Sequence, residues 1–313
     1  MDNVLLCIDI ILPFFVLMLI GVCLRKAQIF SISTIGDLQK FIFKVLLPVV
    51  SFNLAYSADF STIKDNRLLI IYGTSFLVIY SIIVISILIW LKTSKEQKAS
   101  FALSLCVNNM VMFGLPIAIS FCGNENMSPV SALFTIVMPL SYFIGVIILQ
   151  LFSDVKTNLK SIILGIIRNP IVLGLLLGYA FNIFVPNLPT ALDSIIESLS
   201  NVNSPLVFLC LGASLDLHFN KDEVRRIIII VIIKLILIPA IGIIVGATLG
   251  LRGVSLFAII AAFANPTAAS SYPLVCSAGY DGKFINSIIT LSNIISLFTI
   301  FLAIVICSSV GLI

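Results

Sequence analysis

The sequence predicts an all-α integral membrane protein with ten transmembrane helices, arranged as two inverted five-helix repeats whose fourth and ninth helices are broken. Hydrophobic residue types make up 60% of the 313 residues and charged types only 10%, whereas a soluble domain carries about 25% charged residues. Basic residues gather in alternate loops, and prolines and glycines recur at one spacing. These observations predict the membrane location, the orientation and the repeat, respectively.

Long apolar segments follow one another along the whole chain. A run of about 18 or more apolar residues is typical of a membrane-spanning helix. The lipid bilayer is therefore the expected surroundings of most side chains. The predicted spans are residues 5–24, 41–58, 68–91, 99–122, 127–151, 169–186, 194–215, 227–249, 254–279 and 285–309.

The placement of basic residues predicts the orientation. Thirteen of the 18 lysines and arginines lie in odd-numbered loops, three lie in even-numbered loops, and Lys44 and Lys234 lie within spans. Because cytoplasmic loops carry the excess of basic residues, we expect both termini to be extracellular. The expected location is the plasma membrane, with multiple passes, and the charge pattern does not indicate nucleic acid as a partner.

The two halves of the chain share a spacing of prolines and glycines. Pro13 and Gly21 in span 1 stand 157 residues before Pro170 and Gly178 in span 6. Because each half has an odd number of spans, the second half must enter the membrane from the opposite side, as in many secondary transporters. The predicted domains are a first repeat at 1–153, a cytosolic linker at 154–168 and a second repeat at 169–313.

Spans 4 and 9 contain residues that interrupt helices. Span 4 includes "CVNNMVMFGLPIAIS", residues 106–120, and span 9 includes "AFANPTAASSYP", residues 262–273. We expect Gly114 and Pro116 to unwind span 4 and Pro266 to unwind span 9, because proline removes a backbone donor and clashes with the preceding turn. Broken helices in both halves indicate a binding site, at which half-helix N-termini attract anions.

Polar residues near the breaks are the candidate substrate ligands. Amides can donate to an anion, and hydroxyls add further hydrogen bonds. Lys234 lies eight residues past Arg226, about 12 Å into its span, where a charge is costly and usually functional. Lys44 is expected to extend toward the interface. The candidate residues are Asn108, Asn109, Gly114, Pro116, Asn265, Pro266, Thr267, Ser270, Ser271 and Lys234, with Asn53 and Asn203 on the far wall of the path.

Structural interpretations compete with these assignments. The breaks could be proline kinks whose polar neighbours only satisfy freed backbone groups. Asn53 and Asn203 could serve hydrogen bonds between helices. Lys234 could equally face a scaffold in a structural role.

Several motifs along nearly the whole chain resemble those of the auxin efflux carrier family of PIN-like transporters. The resemblance implies a scaffold domain from helices 1, 2, 6 and 7 and a transport domain from helices 3–5 and 8–10, an NhaA-like and bile-acid-symporter-like architecture. It also implies that helices 4 and 9 cross at Pro116 and Pro266, and an elevator-type movement. A homodimer through the scaffold is a further expectation. The motifs are "FIFKVLLPVVSFNLA", "NNMVMFGLPIA", "RNPIVLGLLLG", "SPLVFLCLGASL", "IIKLILIPA" and "ANPTAASSYPL".

The expected function is secondary transport of a small organic anion, a carboxylate such as malate, malonate or an auxin-like compound. The coupling ion, Na+ or H+, stays open, and no other cofactor is expected. A sodium-coupled symporter resembling the bile acid family, a channel and a non-transporting membrane sensor are the alternatives. An intramembrane enzyme is disfavoured, because His218 is the single histidine and no HExxH motif or pair of aspartates lies within the spans.

Overall fold

A computed structural model describes residues 2–57, 66–123, 126–152, 170–185, 187–215 and 223–313. The predicted linker at 154–168 lies outside these residues. In the described segments the regular elements are helices, apart from one isolated β-bridge. In chain order they are α1 (Asp2–Lys26), α2 (Ile32–Tyr56), α3 (Arg67–Trp90), α4a (Lys95–Cys106), α4b (Met110–Cys122), α5 (Ser128–Phe152), α6 (Pro170–Phe184), α7 (Thr190–Ala213), α8 (Val224–Thr248), α9a (Gly253–Phe263), α9b (Ser271–Ser277) and α10 (Lys283–Ser309).

Six helices in the described part of the chain are long and apolar enough to cross a membrane, which confirms the prediction of an all-α membrane protein. They are α2, α3, α5, α7, α8 and α10. Helix α6 and the half-helices α4b and α9a are apolar but shorter. The count of ten spans stays a prediction. Helix α2 begins at Ile32, well before the predicted start at residue 41.

Three of the described helices contain a π-helical turn shortly before a proline. A proline ring clashes with the carbonyl group four residues earlier and has no N–H to donate to it. A wider turn relieves this clash, so these prolines widen their helices without ending them. The turns are Ile42–Leu46 before Pro48, Met110–Gly114 before Pro116 and Ile233–Leu237 before Pro239.

Glycines let two pairs of helices pack backbone to backbone. Helix α1 lies against α7, where a Cβ atom on Gly21 would collide with the carbonyl oxygen of Leu209. Helix α2 lies against α6, where a Cβ atom on Gly178 would collide with the carbonyl oxygen of Phe52. Close approach at small residues is typical of helices in membranes. Because α7 also packs against α2, the two pairs form one body.

Helix α9a lies at the centre of the remaining helices. Every residue from Leu256 to Phe263 is buried, as expected of a helix that is apolar on all sides. It packs against α5, α8, α4b and α10. The interruption that follows α9a is therefore held inside the protein.

Candidate functional site at the helix interruptions

Helix α4 is interrupted at residues 107–109, between α4a and α4b. The prediction that Gly114 and Pro116 unwind this helix is wrong, because both lie within α4b and the π-helical turn Met110–Gly114 accommodates the proline. Gly114 instead lets α4b approach α9a, since a Cβ atom there would collide with the carbonyl oxygen of Ala261.

The interruption of α4 pairs with that of α9, at residues 264–270, through the backbone. Asn108 and Thr267 form an isolated antiparallel β-bridge. The N–H of Asn109 donates to the carbonyl oxygen of Pro266 at 3.1 Å, and the N–H of Ala268 donates to that of Val107 at 3.2 Å. An unpaired backbone group in hydrocarbon costs several kcal/mol, so each interruption stabilises the other.

Thr267 connects this bridge to two neighbouring helices. Its N–H donates to Ser292 Oγ of α10 at 3.2 Å, and its Oγ1 donates to the carbonyl oxygen of Ser104 in α4a at 3.1 Å. All three residues are buried. The hydroxyl of Thr267 is therefore engaged within the protein.

Lys234 of α8 also reaches the bridge. Its side chain is 0% exposed, and Nζ donates to the carbonyl oxygen of Leu105 at 3.0 Å and to Asn108 Oδ1. Asn108 Nδ2 in turn donates to the hydroxyl of Tyr80 at 3.4 Å. The polar groups of Lys234 and Asn108 thus have partners inside the protein.

A cavity of about 510 Å³, which we name cavity A, lies between the bridge and helices α2 and α7. The candidates Asn108, Asn109 and Ser270 line it. Asn109 is buried, and in the described part of the chain its Nδ2 has no hydrogen-bond partner, although buried polar groups are nearly always paired. The exposed lysines Lys40 and Lys44 also line the cavity. Cavity A is therefore lined by an asparagine whose enclosed amide donor is unpaired among the described residues and by two lysines, of which Lys40 also forms an ion pair with Asp37 at 3.1 Å.

A second cavity, cavity B, has a volume of about 610 Å³ and lies at the other end of α2 and α7. Asn53, Asn203 and Pro116 line it, together with the carboxylates of Asp193 and Glu197. The two asparagines therefore lie away from the bridge, on the wall of a separate space.

Three phenylalanine rings pack together, and two of them lie on α4b and α7, helices that line both cavities. Phe113 lies between Met112, which lines cavity A, and Leu115, which lines cavity B. Its ring centroid is 5.7 Å from that of Phe208, which is 4.6 Å from that of Phe14. All three rings are buried. We refer to Phe14, Phe113 and Phe208 as the aromatic septum.

The remaining candidates line neither cavity among the residues described. Gly114 and Pro266 serve the helix contact and the bridge given above. Asn265 Nδ2 donates to the carbonyl oxygen of Ala261 at 2.5 Å, and Ser271 is fully buried. These residues therefore lie at or beside the interruptions without lining either cavity.

Sequence reasoning missed the contribution of α10. Asn286, Thr290 and Asn293 line cavity A, and the Oδ1 atom of Asn293 has no partner among the described residues. Their spacing of four and three residues places them on one helix face. A polar stripe within an apolar span was the signal that could have revealed them.

The pairing of the interruptions predicts that cysteines at positions 108 and 267 form a disulfide. In an antiparallel pair without direct hydrogen bonds the Cα atoms are about 4.5 Å apart, within the range of about 4.4–6.8 Å that a disulfide spans. The variant Asn108→Cys/Thr267→Cys, without native cysteines and with a protease site in segment 154–168, is oxidised and cleaved. We expect the two halves to stay together on a non-reducing gel and to separate with reductant.

The pair Asn126→Cys/Thr267→Cys is the matched control. Asn126 follows the C-terminal end of α4b, about 18 Å along the helix from the bridge, so this pair should not cross-link. Separation of the 108/267 halves without reductant, under conditions that oxidise an exposed cysteine pair, would contradict the bridge.

Comparisons with known proteins identify the family of this chain. Residues 6–304 match the model of a family described as membrane transport protein. The chain is also similar to a protein named "Uncharacterized transporter" from Methanothermobacter thermautotrophicus (strain Delta H), with 23% identity over 302 residues that cover 92% of this chain and 94% of the relative. That name specifies no substrate. The chain therefore belongs to the membrane transport protein family, the auxin efflux carrier group that its motifs resemble.

Proposed function

We propose that the protein is a secondary transporter that carries a small organic anion, a carboxylate such as malate, malonate or an auxin-like compound, across the plasma membrane. Family membership supports a membrane transporter rather than an enzyme. Cavity A carries the finer proposal, because it is lined by Asn109, whose buried Nδ2 donor has no partner among the described residues, and by the lysines Lys40 and Lys44. Charge-assisted hydrogen bonds are the stronger ones, so this lining suits a carboxylate.

Two inverted repeats, residues 1–153 and 169–313, account for the glycine contacts. Gly21 meets the Leu209 carbonyl in the α1–α7 pair, and Gly178 meets the Phe52 carbonyl in the α2–α6 pair. Gly21 and Gly178 are 157 residues apart, as are Phe52 and Leu209. One contact is thus the repeat of the other, as a two-fold relation between the halves requires.

The same spacing extends to the interruptions. Asn108 and Asn265 are 157 residues apart, and so are Pro116 and Pro273. In this register the counterpart of Pro116 is Pro273. We therefore propose Pro116 and Pro273 as the equivalent prolines of the two halves, in place of the expected pair Pro116 and Pro266. Pro266 then has Asn109 as its counterpart, the residue with which it shares a backbone hydrogen bond.

The proposed movement is a slide of the transport domain, α3–α5 with α8–α10, along the scaffold of α1, α2, α6 and α7. Helices α2 and α7 line cavity A with one end and cavity B with the other, and Phe208 lies along α7 between Ser204 of cavity B and Cys210 of cavity A. A slide that carries the bridge past Phe14 and Phe208, the two septum rings on the scaffold, would transfer Asn109 from one cavity to the other. A homodimer would form through the scaffold, which stays still in this scheme.

The sidedness is tested by thiol labelling. With both termini extracellular, Lys92→Cys should be protected and Ser309→Cys should be labelled by an impermeant reagent on intact cells, because Lys92 lies in a basic loop. Both positions are exposed, so permeabilised cells should show both labels and serve as the control. Labelling of position 92 but not 309 on intact cells would reverse the assignment.

The function is tested with purified protein in lipid vesicles. Labelled mono- and dicarboxylates, a sugar and an organic cation are offered, with sodium and proton gradients varied separately. We expect the vesicles to exchange a carboxylate but neither the sugar nor the organic cation. Dependence on a sodium gradient would favour the bile-acid-like symporter, and exchange of the sugar or cation alone would overturn the proposal.

A further inference from the structure

A buried cation lies at the point where helix α4a ends. The last four carbonyl groups of an α-helix lack partners within the helix, and that end carries about half a negative charge. Leu105 is the second-last residue of α4a, and its carbonyl oxygen accepts a hydrogen bond from Lys234 Nζ at 3.0 Å. The ammonium group therefore meets both a free carbonyl and the negative end of the helix dipole.

The partners of this ammonium group are neutral oxygens. Besides the Leu105 carbonyl, Nζ donates to Asn108 Oδ1, and in the described part of the chain Lys234 has no carboxylate partner. Carbonyl oxygens of unwound segments and the C-terminal ends of half-helices are the groups that coordinate Na+ in broken-helix transporters. The ammonium group of Lys234 thus contacts oxygen atoms of the kind that coordinate alkali cations.

We propose that Lys234 is a tethered cation, whose ammonium group occupies a cation site formed by the Leu105 carbonyl and Asn108 Oδ1. Its role is positioning. It holds Asn108, and through the β-bridge it fixes the backbone that presents Asn109 to cavity A. Lys234 is fully buried and is not among the residues that line either cavity. The inference goes beyond the proposed function, and its test measures stability, so the failure of one leaves the other standing.

Removing the tethered cation should create a site that a free cation can fill. Purified Lys234→Ala, Lys234→Met and parent proteins are melted in chloride salts of lithium, sodium, potassium and choline at equal ionic strength. The parent should melt alike in all four salts. In choline, Lys234→Ala should melt roughly 5 °C lower and should recover in one alkali salt as its concentration rises. Lys234→Met fills the space without charge and should melt low in every salt.

Lys98→Ala is the matched control. Lys98 Nζ donates to the carbonyl oxygen of Ile89 near the C-terminal end of α3 at 3.1 Å, in an exposed position. Water can replace that ammonium group, so its removal should produce no difference between salts. Equal melting of Lys234→Ala in alkali and choline salts, or parent-like melting of Lys234→Met, would overturn the inference.

Asn108→Asp keeps the inference testable if Lys234→Ala fails to fold. A carboxylate at position 108 faces a cation in this scheme, and a buried carboxylate with an opposite charge as its partner is tolerated whereas an unpaired one is costly. We therefore expect Asn108→Asp to melt at or above the parent temperature. A loss of folded protein in Asn108→Asp would show that no cation stands there.

Discussion

We expect Asn109→Ala to weaken binding of the substrate by about ten- to a hundredfold while the protein stays folded. Its Nδ2 atom is buried beside cavity A without a partner in the described structure. A hydrogen bond to a charged group contributes about 1.5–3 kcal/mol, which gives this range. Asn293→Ala, on the facing helix α10, should weaken binding less, because its free atom is an acceptor. Calorimetry with the carboxylate found in the vesicle assay measures both.

The control replaces an asparagine outside both cavities. Asn126 Nδ2 donates to the carbonyl oxygen of Cys122 at 3.0 Å, and Asn126 is not among the residues that line either cavity. Asn126→Ala should therefore bind like the parent. If Asn109→Ala also bound like the parent at equal yield of folded protein, the substrate site would lie elsewhere and the interruptions would be hinges.

The second large effect concerns the packing of α1 against α7. Gly212→Ala should lower the melting temperature by roughly 5 °C, because overpacking costs about 1–3 kcal/mol. A Cβ atom on Gly212 of α7 would collide with the carbonyl oxygen of Met18 in α1. Backbone atoms cannot turn aside as a flexible side chain can, so the two helices must separate. Thermal unfolding of the purified variant measures the loss.

Gly36→Ala is the control for this variant. Gly36 is also helical, in α2, and outside its own stretch of helix no atom of the described residues lies within 4 Å of a Cβ built on it. Alanine is the better helix former by about 1 kcal/mol, so Gly36→Ala should melt at or above the parent temperature. Equal melting of the Gly212 and Gly36 variants would show that α1 and α7 are not in backbone contact.

The sequence identified the membrane helices because their signal is local. Apolar runs and the position of Lys234 relative to Arg226 follow from counting along the chain. Pro116 and Pro266 show that the local sequence does not predict where a helix is interrupted. Both fit the pattern of a helix breaker, yet only Pro266 lies in an interruption, since a π-helical turn accommodates Pro116.

The composition of the candidate site depended on contacts between distant segments. Asn108 and Lys234 stood out as polar residues in apolar spans, but their hydrogen bond joins residues from different halves of the chain. Whether a buried amide lines a cavity or satisfies its own helix, as Asn109 and Asn265 respectively do, depends on the neighbouring helices. The residues that flank these two asparagines in the sequence do not distinguish the two cases.

The short distance between the two cavities has a consequence for membrane voltage. Ser204 lines cavity B and Cys210 lines cavity A, and they are about 9 Å apart along α7. Where water and ions fill both cavities, the potential that otherwise falls across about 30 Å of hydrocarbon is concentrated across this layer. An anion that passes this layer crosses most of the voltage in a short step. At 100 mV that step is worth about 2.3 kcal/mol for one charge, or roughly fiftyfold in accumulation. In the proposed mechanism, a small displacement across this layer would thus make transport of an anion electrogenic.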